Sequence, residues 1–274
     1  METTSLPVVL AIGGHDPSGG AGIQADIESI AANGAHATSL LTCLTLQDSC
    51  NVQALHPVAP ELLTRQAELL LADCRISAIK IGLLGSPGAA AAVAGLLQAQ
   101  PHIPVVLDPV LAAGGGSNLA GSELLRRLRE ELLSHCDLIT PNIPEVISLS
   151  GLDANARLDD CAHRLLEFGA RAVLLTGTHE STEENRITHR FYRPNHPTTK
   201  SHWRRLPGAY HGSGCTLAAS IAARLALGDA LEEAVERALD FTWRSLGHAF
   251  RSGRCQLTPD RLFRLGRTPL ADDE

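Results

Sequence analysis

Aromatic residues make up only 3% of this 274-residue chain, so aliphatic side chains and alanine must fill its core. Lysine is scarce too: Lys80 and Lys200 are the only two, and the remaining basic charge is arginine. A net charge of −7 argues against a nucleic-acid partner. No apolar run approaches the roughly 20 residues that cross a bilayer, which argues against a membrane partner. The start is polar and acidic and leads into the apolar run 7–12, which has strand length, so no signal peptide is expected. The cysteines at 43, 50, 74, 136, 161, 215 and 255 are odd in number and form no Cys-x-x-Cys pair. A structural zinc site or a disulfide framework is therefore not expected, and a reducing, cytoplasmic setting is.

What is present is a regular alternation. Short apolar runs at 8–12, 38–44, 78–81, 104–107, 137–140 and 172–176 lack polar alternation, as strands covered on both faces do. Amphipathic runs at 23–32, 60–72, 87–97, 122–134 and 156–168 separate them. This order predicts an α/β fold, with a parallel sheet between helical layers and right-handed crossovers. Residues 179–205 are polar with a few aromatics and read as a flap or hairpin; two helices follow at 215–227 and 229–249. With no repeat and no linker, one domain over 1–274 is expected, with a frayed tail at 271–274.

Ligands of such sheets bind beyond the carboxyl ends of the strands. The most informative segment there is Tyr210-His211-Gly212-Ser213-Gly214-Cys215-Thr216, followed by an apolar helical run. Gly212 and Gly214 permit a tight turn. The helix start behind them offers unpaired N–H groups and a partial positive charge, an anion site suited to phosphate. A thiol at such a place should have a lowered pKa. The same residues also fit a glycine turn before a buried structural cysteine.

A second glycine-rich loop, residues 13–22, follows the first strand. Its spacing matches neither the dinucleotide fingerprint nor the P-loop, and it holds no lysine. Asp16 and Asp26 read equally well as a turn residue and a helix acid. Asn142 and Glu145 share one face of a helix start, where capping explains them as well as ligand binding does.

The run from Asp16-Pro17-Ser18 through Gly19-Gly20-Ala21-Gly22-Ile23-Gln24-Ala25-Asp26 resembles the hydroxymethylpyrimidine/phosphomethylpyrimidine kinases of thiamine biosynthesis. So do Gln47, Lys80-Ile81-Gly82-Leu83-Leu84, Asp108-Pro109-Val110, Thr140-Pro141-Asn142-Ile143-Pro144-Glu145 and His211-Gly212-Ser213-Gly214-Cys215-Thr216. These six blocks keep the family's order over nearly the whole chain.

The resemblance implies a ribokinase-like three-layer αβα sandwich, often a homodimer. It implies transfer of the γ-phosphoryl of ATP, with Mg²⁺, to 4-amino-5-hydroxymethyl-2-methylpyrimidine and then to its monophosphate. Gly212, Ser213 and Gly214 would cradle the phosphoryl group, with Cys215 as base. Gln47 would read the pyrimidine edge, with Gly14, Asp16, Asp26 and Leu83 around it. Asp108, Asn142, Glu145, Thr176 and Thr216 would face ATP, with Asp108 and Glu145 near the metal through water. Two family lysines are absent, at Thr176-Gly177-Thr178-His179 and after Asp108-Pro109-Val110; Arg204, Arg205 or His211 are candidates to supply charge instead. Alternatives are a pyridoxal kinase, a non-catalytic pyrimidine-binding regulator, or a cysteine hydrolase.

Overall fold

The computed structural model describes residues 5–112, 119–178 and 185–266. Their centre is a nine-stranded sheet in the order β3-β2-β1-β4-β5-β6-β7-β8-β9. Strands β1 (Val8–His15), β2 (His36–Gln47), β4 (Ile76–Ile81), β5 (Val105–Leu107), β6 (Leu138–Ile139) and β7 (Val173–Leu175) run parallel. The edges are antiparallel. β3 (Val52–Pro57) folds back on β2, and β8 (Arg186–Tyr192) with β9 (Thr199–Arg204) forms a hairpin beside β7.

The sheet is covered on both sides. Along β1, Leu10 and Ile12 face one core while Val9 and Ala11 face the other, the two-residue period of a strand. The first core is closed by α2 (Pro60–Asp73), α3 (Pro87–Ala99), α4 (Ser122–Arg127), α5 (Ile143–Ser150) and α6 (Leu158–Glu167). The second is closed by α1 (Gly22–Ala32), α7 (Ser213–Ala226) and α8 (Leu231–Gly247). Here alanine replaces the missing aromatics. Ala218, Ala219, Ala222 and Ala223 of α7 meet Ala11 and Ala78 of the sheet, so helix and sheet approach closely.

The flap expected at 179–205 is the β8–β9 hairpin over its described part; residues 179–184 and the tail at 271–274 lie outside the described residues. The 122–134 run begins as α4 and continues through a π-helical turn (Leu128–Leu132) and a 3₁₀ turn. Among the described residues no helix is long and apolar enough to cross a membrane.

One expectation fails. Cys50 and Cys255 form a disulfide across 205 residues of sequence. The β2–β3 loop lies against the C-terminal segment, with Gln256 N donating to Ser49 O at 3.3 Å. Spacing along the chain carries no sign of that contact.

Candidate active site

The strand order reverses at β1, which has β2 on one side and β4 on the other. In open parallel sheets ligands bind at such a switch point. Gly13 and Gly14 near the end of β1 and Gly82 after β4 leave room there. A Cβ on Gly14 would meet Cys43 Sγ at 2.9 Å and Leu83 Cδ2 at 3.0 Å. Leu83 is half-buried at the end of β4, and Gly82 N bonds Ile12 O at 2.8 Å. Gln47 ends β2, where a register shift between Leu46 and Gln47 re-aims the side chain.

Asp16 is a buried organising group. Its Oδ1 accepts from Ser18 N at 2.9 Å and Ser18 Oγ at 2.7 Å, and its Oδ2 accepts from Ala21 N at 2.9 Å. His211 Nε2 reaches Asp16 Oδ2 at 2.7 Å and Gln47 Nε2 at 2.9 Å. Burial alone would raise the Asp16 carboxyl, but the bonds from His211 and Ser18 hold it down at about 2. The sequence presented Asp16, Gln47 and His211 separately; the fold joins them.

The anion loop closes against this glycine loop. Gly212 caps α7 with φ 81°, and a Cβ there would collide with the Gly20 carbonyl. Only glycine serves at that position. Helix α7 starts at Ser213, two residues earlier than expected, so Ser213, Gly214 and Cys215 form its first turn. Gly214 is exposed, and its Cα hydrogens face Asp108: a Cβ there would stand 3.5 Å from both carboxylate oxygens.

Two expectations for this helix are corrected. The Thr216 hydroxyl does not face phosphate. It is fully buried, donates to Gly212 O at 2.8 Å and accepts from Arg261 Nε at 2.9 Å. Cys215 does not have a lowered pKa. Burial pushes the thiol up to about 12, against the opposing pull of the Lys80 charge and the Gly22 N–H.

Beneath the loop lies a charged cluster that the sequence did not pair. The Lys80 ammonium is 2.7 Å from Asp26 Oδ1, both sealed from solvent. Burial would lower Lys80, but the charge of Asp26, with Asp108 adding to it, raises it further, so it stays protonated. The expected contact of Asp26 with a substrate is not seen: the carboxylate is 0% exposed and is held by Lys80. Arg261, 1% exposed, ties the loops together by bonding Thr216 Oγ1, Glu28 and Gly20 O. Isolated arginines give no sequence signal of this kind.

Further along the strand ends, Asn142 and Glu145 form a capping box on α5. Glu145 N donates to Asn142 Oδ1 at 3.0 Å, and Asn142 N to Glu145 Oε2 at 2.9 Å. Thr176 pairs beside Asn142, with its N–H on Pro141 O at 2.9 Å. Burial and the Asp108 charge raise Glu145 to about 8; burial first, offset by Lys80, leaves Asp108 raised to about 6. Among the described residues Asp108 Oδ2 is buried without a hydrogen-bond partner. An acid whose charge raises a second one, and which carries an orphan oxygen, fits a cation. Among the described residues no three His, Cys, Asp or Glu form a metal cage, so such a cation takes most of its oxygens from water and ligand. Of the candidate replacement cations, Arg204 is exposed on β9, and Arg205 bonds Thr178 O at 3.0 Å beside the end of β7.

Comparison with known proteins identifies the family and the fold. A model of the phosphomethylpyrimidine kinase family matches residues 16–260. The hydroxymethylpyrimidine/phosphomethylpyrimidine kinase of Haemophilus influenzae is 34% identical over 256 residues, 92% of this chain and 95% of that protein. The pyridoxal kinase of Bacillus subtilis, solved as an ADP complex, superposes with a TM-score of 0.83 at 26% identity, covering 96% of this chain and 100% of the other. The phosphomethylpyrimidine kinase of Clostridium difficile 630 gives 0.75 at 29% identity over 87% of this chain and 98% of its own. The fold is the ribokinase-like sandwich of these enzymes, and the chain belongs to the phosphomethylpyrimidine kinase family.

Proposed function

We propose that this chain transfers the γ-phosphoryl group of ATP to the hydroxymethyl oxygen of 4-amino-5-hydroxymethyl-2-methylpyrimidine, and then phosphorylates the monophosphate. The observation that carries the reading is the α7 N-terminus, capped by Gly212, abutting the switch point where Gln47, Gly14 and Leu83 gather. The pyrimidine would lie against Leu83 over Gly14, with Gln47 on its polar edge and Asp16 behind Gln47 through His211. ATP would extend toward Asn142 and Thr176.

Phosphoryl transfer passes through a loose transition state, so positioning and charge stabilisation dominate. The N–H groups of Ser213, Gly214 and Cys215 are aimed where negative charge grows on the phosphoryl oxygens. The hydroxymethyl proton goes to Cys215. A thiol held at about 12 must first release its own proton, and Asp108, whose charge acts on the thiol, would be the acceptor. Bond making and breaking then balance: the hydroxyl proton replaces the one passed to Asp108. Asp108 and Glu145 would hold Mg²⁺ through water, where it would neutralise phosphate charge.

A homodimer belongs to this reading, with the exposed Leu44 and Leu46 of β2 as apolar surface for a second copy; sedimentation tests it. The test of function is ADP release with the pyrimidine and ATP, with products identified by phosphorus NMR. Cys215→Ala should keep pyrimidine binding and lose most turnover. The B. subtilis likeness favours pyridoxal as a second substrate. Turnover of pyridoxal alone would replace the main reading, and binding without ADP release would mean a regulator.

A further inference from the structure

We propose that His211 is a positioning residue that fixes which end of the Gln47 carboxamide faces the substrate. The inference rests on the pyrimidine kinase reading and deepens it at the same site.

The argument is one of donors and acceptors. Asp16 receives three bonds from Ser18 and Ala21, all to its oxygens. It is an ionised, acceptor-only group. Its Oδ2 lies 2.7 Å from His211 Nε2, so that nitrogen must carry a hydrogen and donate it. A lone pair there would face a carboxylate at contact distance. The tautomer of a histidine and the orientation of an amide are settled together by such networks.

Gln47 lies 2.9 Å from the same Nε2. Two N–H donors cannot satisfy each other at that distance. With Nε2–H committed by Asp16, the Gln47 atom turned to His211 is the carbonyl oxygen, which shares that hydrogen. The NH₂ end is then left to donate toward the strand-end cavity. The second lone pair of the carbonyl stays free to accept. Gln47 therefore offers a donor and an acceptor in one fixed order, suited to a ring nitrogen next to an exocyclic amine. The reversed amide would meet the same ligand donor to donor. The order is built in before ligand arrives: His211 is half-buried, its ring lies over Gly20, and its backbone N–H is held by Leu257 O at 2.9 Å.

The experiment is a double-substitution cycle read by steady-state kinetics. His211→Phe removes the ring hydrogen donor and frees the amide to turn. It should raise the pyrimidine KM about tenfold, with the ATP KM and kcat changed less than about threefold. In a Gln47→Leu background the same substitution should add nothing to the pyrimidine KM. His211→Gln, which keeps an N–H near the place of Nε2, should recover most of the loss. Should His211→Phe fail to fold, Asp16→Asn reaches the same point, because an amide no longer dictates the tautomer; it too should act in the native background and not with Gln47→Leu. Equal effects in both backgrounds, or His211→Gln as poor as His211→Phe, overturn the proposal. A native protein that neither binds nor phosphorylates the pyrimidine overturns the functional reading and this inference with it. A normally active native protein with additive substitutions overturns this inference alone.

Discussion

The Lys80 ammonium stands 2.7 Å from the Asp26 carboxylate inside the protein, with side chains 1% and 0% exposed. Neither charge has water to return to if the other is removed. Lys80→Met should therefore lower the unfolding free energy by about 3–5 kcal/mol, the usual cost of stranding a buried partner. Replacing both, as Asp26→Leu with Lys80→Met, should recover much of that loss. Urea denaturation of Lys80→Met, Asp26→Leu and the double variant checks this; a double variant losing as much as the sum of the two singles would remove the argument.

Cys215 supplies a chemical test. Its thiol, pushed up to about 12 by burial, is protonated throughout the neutral range. Thiolate is the species that alkylates. Iodoacetamide at pH 7.5 should thus leave Cys215 largely unmodified while the half-buried Cys74 reacts, as peptide mass mapping would report. Preferential labelling of Cys215 would restore the activated thiol expected of a helix N-terminus. The rate of phosphoryl transfer should likewise show no thiolate step near pH 7.

These two residues mark where the sequence was legible. The parallel strands announce themselves as apolar runs because both faces are covered. The anion loop is legible because Gly212 must hold a positive φ against the Gly20 carbonyl. β3 was missed, since an edge strand carries polar residues and loses the apolar signal, whereas β8–β9 was expected as a flap or hairpin and is a hairpin. Pairings were invisible. Lys80 and Asp26 are 54 residues apart, Arg261 and Thr216 45, His211 and Asp16 195. Local pattern cannot tell a side chain what the fold will bring to it. The lowered thiol expected of Cys215 fails for the same reason: its burial is a tertiary property.

Asp16 predicts a pH dependence. Its carboxyl is held at about 2 in the folded chain, below the roughly 3.9 of an unfolded one. A lowered folded value stabilises above the unfolded pKa, and the gain is lost as pH falls through the folded one. The shift corresponds to about 2 kcal/mol. Asp16→Asn should be less stable than the native protein by up to about that amount from pH 5 to 7, with the gap closing between pH 4 and 2. Urea midpoints measured across this range check it. A gap that stayed constant down to pH 2 would assign the loss to shape rather than charge.

The disulfide links stability to the site. Cys50 follows Gln47 in the β2–β3 loop, and Cys255 precedes Leu257, whose carbonyl holds the backbone of His211. Closing so long a loop restricts the unfolded chain strongly, and losing such a bridge typically costs about 2–5 kcal/mol. Thiol titration in denaturant should find five free cysteines without reductant and seven after reduction. Cys50→Ser with Cys255→Ser should lower stability by that amount. It should also raise the pyrimidine KM more than the ATP KM, because the freed loop carries Gln47 at its root. A cytoplasmic enzyme would have to keep this bridge against a reducing thiol pool, so the titration should be run on protein isolated with thiols trapped on lysis. Seven free thiols in that sample would mean the bridge is open in the cell; a closed bridge whose removal left both KM values unchanged would make it a staple of the fold with no bearing on the site.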